Sequence, residues 1–141
     1  MGVELKQTAT GGVQLWDDLS GGQGSVVQCI GGIVNRGATN TQALSGWVLP
    51  ANAIITRIDI GVSVVSNAAT TATVSVGLSG GSATLFSAAQ DVKGAIGNFS
   101  QAATAGWTPS LSKQALSVTY TETGTASSTG NATFAVYYIV N

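Results

Sequence analysis

The chain contains no histidine, and only one of its 141 residues is cysteine. Without histidine no side chain titrates near neutral pH in its unperturbed state, so a Ser- or Cys-centred nucleophile has no imidazole base to activate it. A lone Cys29 excludes an intrachain disulfide and a thiolate metal cluster. Within Val26-Val27-Gln28-Cys29-Ile30 its expected role is that of a small, buried apolar side chain. Charge is scarce too: Asp, Glu, Lys and Arg make up 8% of the chain, against a usual share of roughly 25%. Such a surface hydrogen-bonds well but repels its own copies poorly, which fits a neutral β protein or a subunit packed against others. The net charge is −1, and Lys6, Arg36, Arg57, Lys93 and Lys113 are scattered one at a time. Phosphate recognition needs clustered cations, so nucleic acid is not an expected partner. No run approaches the roughly 20 apolar residues of a membrane span, and membrane is not an expected partner either. The N-terminal MGVELKQTATGG has no hydrophobic signal core, so a secretory leader is not expected.

The chemistry-bearing motifs are equally thin. The six carboxylates are Glu4, Asp17, Asp18, Asp59, Asp91 and Glu122. Five fall in expected arms, loops or connections, while Asp59 lies on the outward face of a strand beside Arg57. A glycosidase would need two of them facing each other across a cleft, and nothing in the spacing favours that. Asp17-Asp18 lacks the spacing of a calcium loop. Gly21-Gly22-Gln23-Gly24-Ser25 lacks the lysine of a phosphate loop and precedes no helical pattern. The expectation is therefore no enzyme activity, no cofactor, no metal and no catalytic residue. Trp16, Trp47, Trp107, Tyr120, Tyr137 and Tyr138 offer two readings, a platform for sugar rings or the filling of a core and subunit contacts.

What is abundant is β-strand grammar. Hydrophobic residues make up 44% of the chain, and 19 glycines punctuate it. Between Ile54 and Val64 the even positions are Ile, Thr, Ile, Ile, Val and Val, while Arg57, Asp59, Gly61 and Ser63 alternate with them. This period of two predicts a strand with its even face in the core. The polar run Ser66–Thr71 follows, and then Val74, Val76 and Leu78 alternate with Thr73, Ser75 and Gly77. The two segments predict an antiparallel pair joined by a turn. Leu116, Val118 and Tyr120, then Phe134, Val136, Tyr138 and Val140, predict a second hairpin with residues 122–132 as its polar tip. The last strand is apolar on both faces, so it is either covered on both sides or meets another subunit.

Shorter strands are predicted over Val13–Trp16, Val26–Val34 and Leu44–Leu49, the last stopped by Pro50. Gly31-Gly32 predicts a bulge or a close backbone approach. Ala83–Phe86 reads as a short strand or the start of a connection, and residues 87–110 as a connection with one short helix at most, placed over 87–93. About eight short strands separated by Gly/Ser/Thr turns predict an all-β sandwich or barrel. The expected organisation is an N-terminal arm over residues 1–12 and one β domain over residues 13–141.

The run Trp47-Val48-Leu49-Pro50-Ala51-Asn52-Ala53-Ile54-Ile55-Thr56-Arg57-Ile58, then Val62–Val65, then Thr73-Val74-Ser75-Val76-Gly77, resembles a pattern of small structural proteins of tailed bacteriophages. Val118-Thr119-Tyr120-Thr121 and Ala135–Val140 resemble the Tyr/Thr-rich hairpin that often closes them. Asn52 stands where that pattern usually has glycine, and asparagine also accepts the left-handed turn. The resemblance covers about residues 44–141, and its motifs are structural, not catalytic. It implies a single antiparallel β-sandwich, jelly-roll-like and often trimeric, serving as a capsid decoration (cement) protein, a head fibre or a tail-associated subunit. The implied partner of a decoration protein is the major capsid protein, and the implied location is the capsid surface of the virion, after assembly in the host cytoplasm. A receptor- or glycan-binding module of the fibre or tail tip is the alternative. The expected contact residues are Val3, Leu5 and Val13 in or beside the arm, Arg57 and Asp59 on the first long strand, and Tyr137 and Ile139 on the last.

Overall fold

In a computed structural model, the structure describes residues 26–36, 39–42, 47–104 and 108–140. Among these residues nine strands form in chain order: β1 (Gln28–Val34), β2 (Thr39–Gln42), β3 (Val48–Leu49), β4 (Ala53–Val64), β5 (Thr71–Leu78), β6 (Gln90–Asp91), β7 (Gly97–Gln101), β8 (Gln114–Thr123) and β9 (Asn131–Val140). One sheet has the order β1-β9-β4-β7. The other has the order β2-β8-β5-β6, with β3 also paired to β8. All pairings are antiparallel. The chain is an all-β, antiparallel sandwich whose strand order is that of a jelly roll, a four-strand and a five-strand sheet packed face to face.

Two expected hairpins are crossovers instead. β4 pairs β9 and β7, not β5, while β5 pairs β8 and β6. Residues 65–70 therefore carry the chain from one sheet to the other, and residues 124–130 return it between β8 and β9. Every strand of the two expected hairpins has an apolar face to bury. Either edge-to-edge pairing or face-to-face stacking buries that face, so alternation alone does not choose between them. Stacking joins Ile58, Ile60 and Val62 of β4, Val74 and Val76 of β5, Leu116 and Val118 of β8, and Phe134 and Val136 of β9 into one buried core.

β4 departs from a simple period of two. Its register to β9 runs Ile55 to Tyr138 and then Arg57 to Tyr137, which leaves Thr56 as an extra, bulged residue. Ala53 and Ile55 are buried before the bulge and Ile58, Ile60 and Val62 after it. The even-face expectation thus holds from Ile58 to Val62 but fails at Ile54, Thr56 and Val64. A second register shift lies between Val62 and Val64, and Val64 is exposed.

No helix forms over 87–93. Phe86 and Ser87 both donate their N–H to the Val76 carbonyl, and Ser87 Oγ accepts the Val76 N–H at 2.9 Å. Val92 N–H then reaches the Ala72 carbonyl at 3.0 Å. Residues 86–92 run along the open edge of β5 and use their backbone groups there, while Phe86 and Val92 enter the core. An edge needing partners and two apolar anchors outweigh a weak helical preference. The following segment forms β7, an edge strand where a connection is expected from the sequence.

The glycine pair of β1 marks close approach and no bulge, since β1 pairs β9 in continuous register from Gln28 to Val34. A Cβ on Gly32 would lie 2.8 Å from the Trp47 ring, and one on Gly31 would lie 2.7 Å from the Phe134 carbonyl oxygen. Cys29 is exposed, contrary to the buried role expected of it. It occupies the outward row of an edge strand whose inward row is Ile30, Gly32 and Val34. Asn52 adopts φ 61°, the left-handed turn anticipated for it, and donates its N–H to the Ser110 carbonyl at 2.7 Å.

Candidate interaction surface

The register of the β1-β9-β4-β7 sheet sets the outward side chains in rows. Cys29, Tyr137 and Arg57 form one row; Gly31, Ala135, Asp59 and Ser100 form the next; Ile33, Thr133, Gly61 and Asn98 form a third. Small residues keep much of this face low, and a Cβ on Gly61 would lie 2.8 Å from Thr133 Oγ1. One ordered polar group rises from it.

Arg57 Nε contacts Asp59 Oδ1 at 3.0 Å, and the guanidinium carbon lies 4.3 Å from the centre of the Tyr137 ring. The Thr56 bulge places Thr56 and Arg57 consecutively on the exposed side, and Thr56 Oγ1 donates to the Tyr137 carbonyl oxygen at 3.1 Å. Ser100 Oγ donates to Asp59 Oδ1 at 2.7 Å. Burial pushes the Asp59 carboxyl up, but hydrogen bonds from Ser100 and Asn98 and the nearby Arg57 outweigh it and hold the group below its ordinary value. Arg57 is held above its ordinary value, first by its hydrogen bond with Tyr137 and then, against some desolvation, by Asp59. Asp59 is therefore not a plain solvated charge: it is 7% exposed, whereas the Arg57 side chain is 51% exposed. The result is a preorganised arginine, its guanidinium held against a ring and a carboxylate while half of the side chain stays open to a partner.

Arg57, Asp59 and Tyr137 are thus brought together, and Ile139, half-buried, stands two residues along the same outward row of β9, opposite Ile54. Val3, Leu5 and Val13 lie outside the described residues. The aromatic platform for sugars does not form from the described aromatics. Tyr120 and Tyr138 are buried, Trp47 packs edge-on to Phe134 at 4.7 Å, and Tyr137 lies beneath Arg57. Trp16 and Trp107 lie outside the described residues.

A second polar constellation escaped the sequence reading, which placed Glu122 in a loop. It belongs to β8 and is buried on the inward row after Leu116, Val118 and Tyr120. Tyr120 Oη donates to Glu122 Oε2 at 2.7 Å, and Ser127 N–H donates to Oε1 at 3.1 Å. Arg36 donates to the Ser127 carbonyl at 3.1 Å. Asn67 Oδ1 accepts the N–H groups of Ser128 and Thr129 at 2.8 and 2.9 Å. These bonds tie the crossover 124–130 to the crossover 65–70. The hydrogen bond from Ser127 hydroxyl lowers the Glu122 carboxyl; burial opposes this, and Tyr120, the Ser127 backbone and Arg36 lower it further. The i, i+2 spacing of Tyr120 and Glu122 at the end of an alternating apolar row was the available signal.

The cleft between these crossovers, lined by Arg36, Ser66, Tyr120 and Asn131 among others, has about 10 Å³ of room. That is one water at most. A larger depression of about 410 Å³ lies open to solvent beside Thr71, Thr73, Asp91 and Lys93. It is lined by one carboxylate, whose Oδ1 accepts the Lys93 N–H at 2.8 Å. Among the described residues no three His, Cys, Asp or Glu side chains group as metal ligands, and no helix is long and apolar enough to cross a membrane.

No protein-family model and no curated protein matches the chain. Two solved structures share its fold over nearly the whole length. A chain of the cyanophage Pam1 capsid asymmetric unit is 24% identical, with a TM-score of 0.58, over 92% of this chain and 94% of that one. A chain from the capsid of Ralstonia phage GP4 is 18% identical, with a TM-score of 0.55, over 92% of this chain and 91% of that one. The jelly-roll sandwich built here is a fold found in the capsids of two bacteriophages.

Proposed function

We propose that this chain is a structural protein of a bacteriophage virion that decorates and stabilises the assembled head. The observation that carries the reading is the end-to-end fold likeness to chains of two phage capsids, 92% of this chain in each case. The outer face of the β1-β9-β4-β7 sheet supports it. That face is low, nearly uncharged and centred on an arginine already fixed in place, the type of residue that commonly anchors protein interfaces. The major capsid protein is the partner, the capsid surface the location, and a homotrimer the working unit. The chain carries no catalytic role in this reading, and neither nucleic acid nor membrane is its partner.

The mechanism is mass action. A protein that binds only the assembled shell favours that shell by an amount set by its concentration relative to its dissociation constant. Arg57 and Asp59 contact the shell, together with the arm that contains Val3 and Leu5; Tyr137 and Ile139, and Val13 beyond the arm, lie between subunits.

The test adds purified protein to heads that lack it and measures co-sedimentation and the temperature at which the heads release DNA. The protein should sediment with heads and raise that temperature. Arg57→Ala and Tyr137→Ala should each weaken binding by about tenfold or more, and removal of residues 1–12 should abolish it with the fold retained. Heads equally stable with and without bound protein would refute decoration as a stabilising role. Binding to a glycan array but not to heads would move the protein to the fibre or tail tip.

A further inference from the structure

Among the described residues the sandwich has four edges, formed by β1, β7, β6 and, along β8, β2 with the two-residue β3, and they are unequal. β6 has two residues, β2 four and β7 five, whereas β1 has seven. Native sheets blunt their edges with short strands, charges, proline or bulges, because an open edge templates pairing with another chain. β1 uses none of these devices. It has no charged residue and no proline, and it follows β9 without a register shift. Its surroundings are apolar as well: Val26, Val27 and Ile33 are 67%, 56% and 64% exposed. On the outward face of neighbouring β9, Ala135 and Ile139 are uncharged, while Tyr137 between them carries the Arg57 guanidinium over its ring.

The described chain begins at Val26, beside the start of this edge, and 25 residues precede it. Among them Val13-Gln14-Leu15-Trp16 is a short alternating apolar segment suited to pairing. Nine residues, Asp17-Asp18-Leu19-Ser20-Gly21-Gly22-Gln23-Gly24-Ser25, separate it from Val26. A hairpin that folded this segment back onto its own β1 would ordinarily use a loop of roughly two to five residues. A Gly/Ser-rich connection of this length has a maximum reach of about 30 Å, far more than a tight turn onto its own β1 needs.

We propose that the open edge of β1 is filled by strand addition from residues Val13–Trp16 of a neighbouring copy of this chain. The inference rests on the oligomeric part of the reading above, and it gives that oligomer its joint. Each copy donates an arm and accepts one, a head-to-tail contact that closes into a ring when the rotation allows it. Backbone hydrogen bonds supply the pairing, and alternate side chains of the arm extend the apolar surroundings of β1. Nearly neutral copies meet there without like-charge repulsion.

The test uses the single native cysteine, which is exposed on β1. Full-length Val13→Cys and Leu15→Cys variants are oxidised with a copper catalyst in air and run on denaturing gels without reductant. Either variant should yield reductant-sensitive species of two or more chains. These should be absent from the wild type and from the same variant combined with Cys29→Ser. A compact, fast-migrating single chain would mean that the arm covers its own β1, and no product from either variant would mean that it does not lie there; both results overturn the proposal. Light scattering of the full chain and of a chain lacking residues 1–16 gives an independent reading. The truncated chain should keep its β circular dichroism and fall to a monomer, and a folded truncated oligomer would overturn the proposal. Neither measurement involves capsids, so failure of head binding and failure of arm exchange are separately visible.

Discussion

Tyr120 and Glu122 stand two residues apart on the inward face of one strand, and the phenol donates to the carboxylate at 2.7 Å. The pair closes one end of the core and anchors the crossover through Ser127. Ser66 Oγ lies 2.8 Å from the same phenolic oxygen, so the second crossover joins the group.

The Glu122 carboxyl is lowered in the folded protein, so its ionised form is the one the fold favours. Its contribution is complete above the ordinary carboxylate range and is lost as pH falls through the lowered folded value. Glu122→Gln should therefore melt below wild type at pH 7, and the gap should close on acidification below about pH 4. Asp59 shifts in the same direction in both proteins, so the difference between their melting curves isolates Glu122. A gap independent of pH would show that the charge is not what matters.

Thr56 is the bulged residue between Ile55 and Ile58, which both face inward. Deleting it would bring Ile55 and Arg57 into unbroken register with Tyr138 and Tyr137, so Ala53 and Ile55 would keep facing inward. The burial of Ile55, worth about 1.5–3 kcal/mol, is then retained. Chemical denaturation of the deletion variant should show a smaller loss, about the 0.5–1.5 kcal/mol of the hydrogen bond from Thr56 to the Tyr137 carbonyl; a loss as large as that of Ile55→Ala would show that the strand cannot close over the gap.

Phe86 is fully buried although it belongs to no strand. Phe86→Ala should cost about 3–5 kcal/mol, the range for an aromatic removed from a packed interior. Phe86→Leu should cost less in the same urea titration. Near-equality of the two would mean that the site collapses around the smaller residue.

Gly77 lies on the outward face of β5, where residues 82–83 cross it. A Cβ there would collide with the Ser82 carbonyl oxygen and lie 2.5 Å from the Ala83 carbonyl carbon. Leu78 N–H is bonded to that same Ser82 carbonyl at 3.0 Å, so the turn cannot simply lift away. Gly77→Ala should destabilise by about 1–3 kcal/mol. Gly80→Ala should meet no neighbour and cost only its left-handed φ of 77°.

Alternation of apolar and polar residues is a local property, and it was enough to locate β4, β5, β8 and β9 and to mark which side of most of them is apolar. The inward sets of β5, β8 and β9 follow it from Ala72 to Glu122 and from Ala132 to Tyr138. The absence of histidine likewise leaves the chain without an imidazole to serve as a base, whatever the fold. Tertiary structure decided what a period of two leaves open. A strand with one apolar face buries it equally well beside its neighbour or across the sandwich, so both expected hairpins became crossovers. The bulge at Thr56 has no local signature, since its benefit comes from Tyr137 and Tyr138 more than 80 residues away. Glu122 reads locally as the start of a polar loop, because nothing nearby in sequence shows that Tyr120 and Ser127, which bond it, are themselves held by Ser66 and Arg36 from two other parts of the chain. Cys29 looked like core for the opposite reason: apolar neighbours in sequence do not reveal that a strand lies at the edge, with one row turned outward and nothing beyond it.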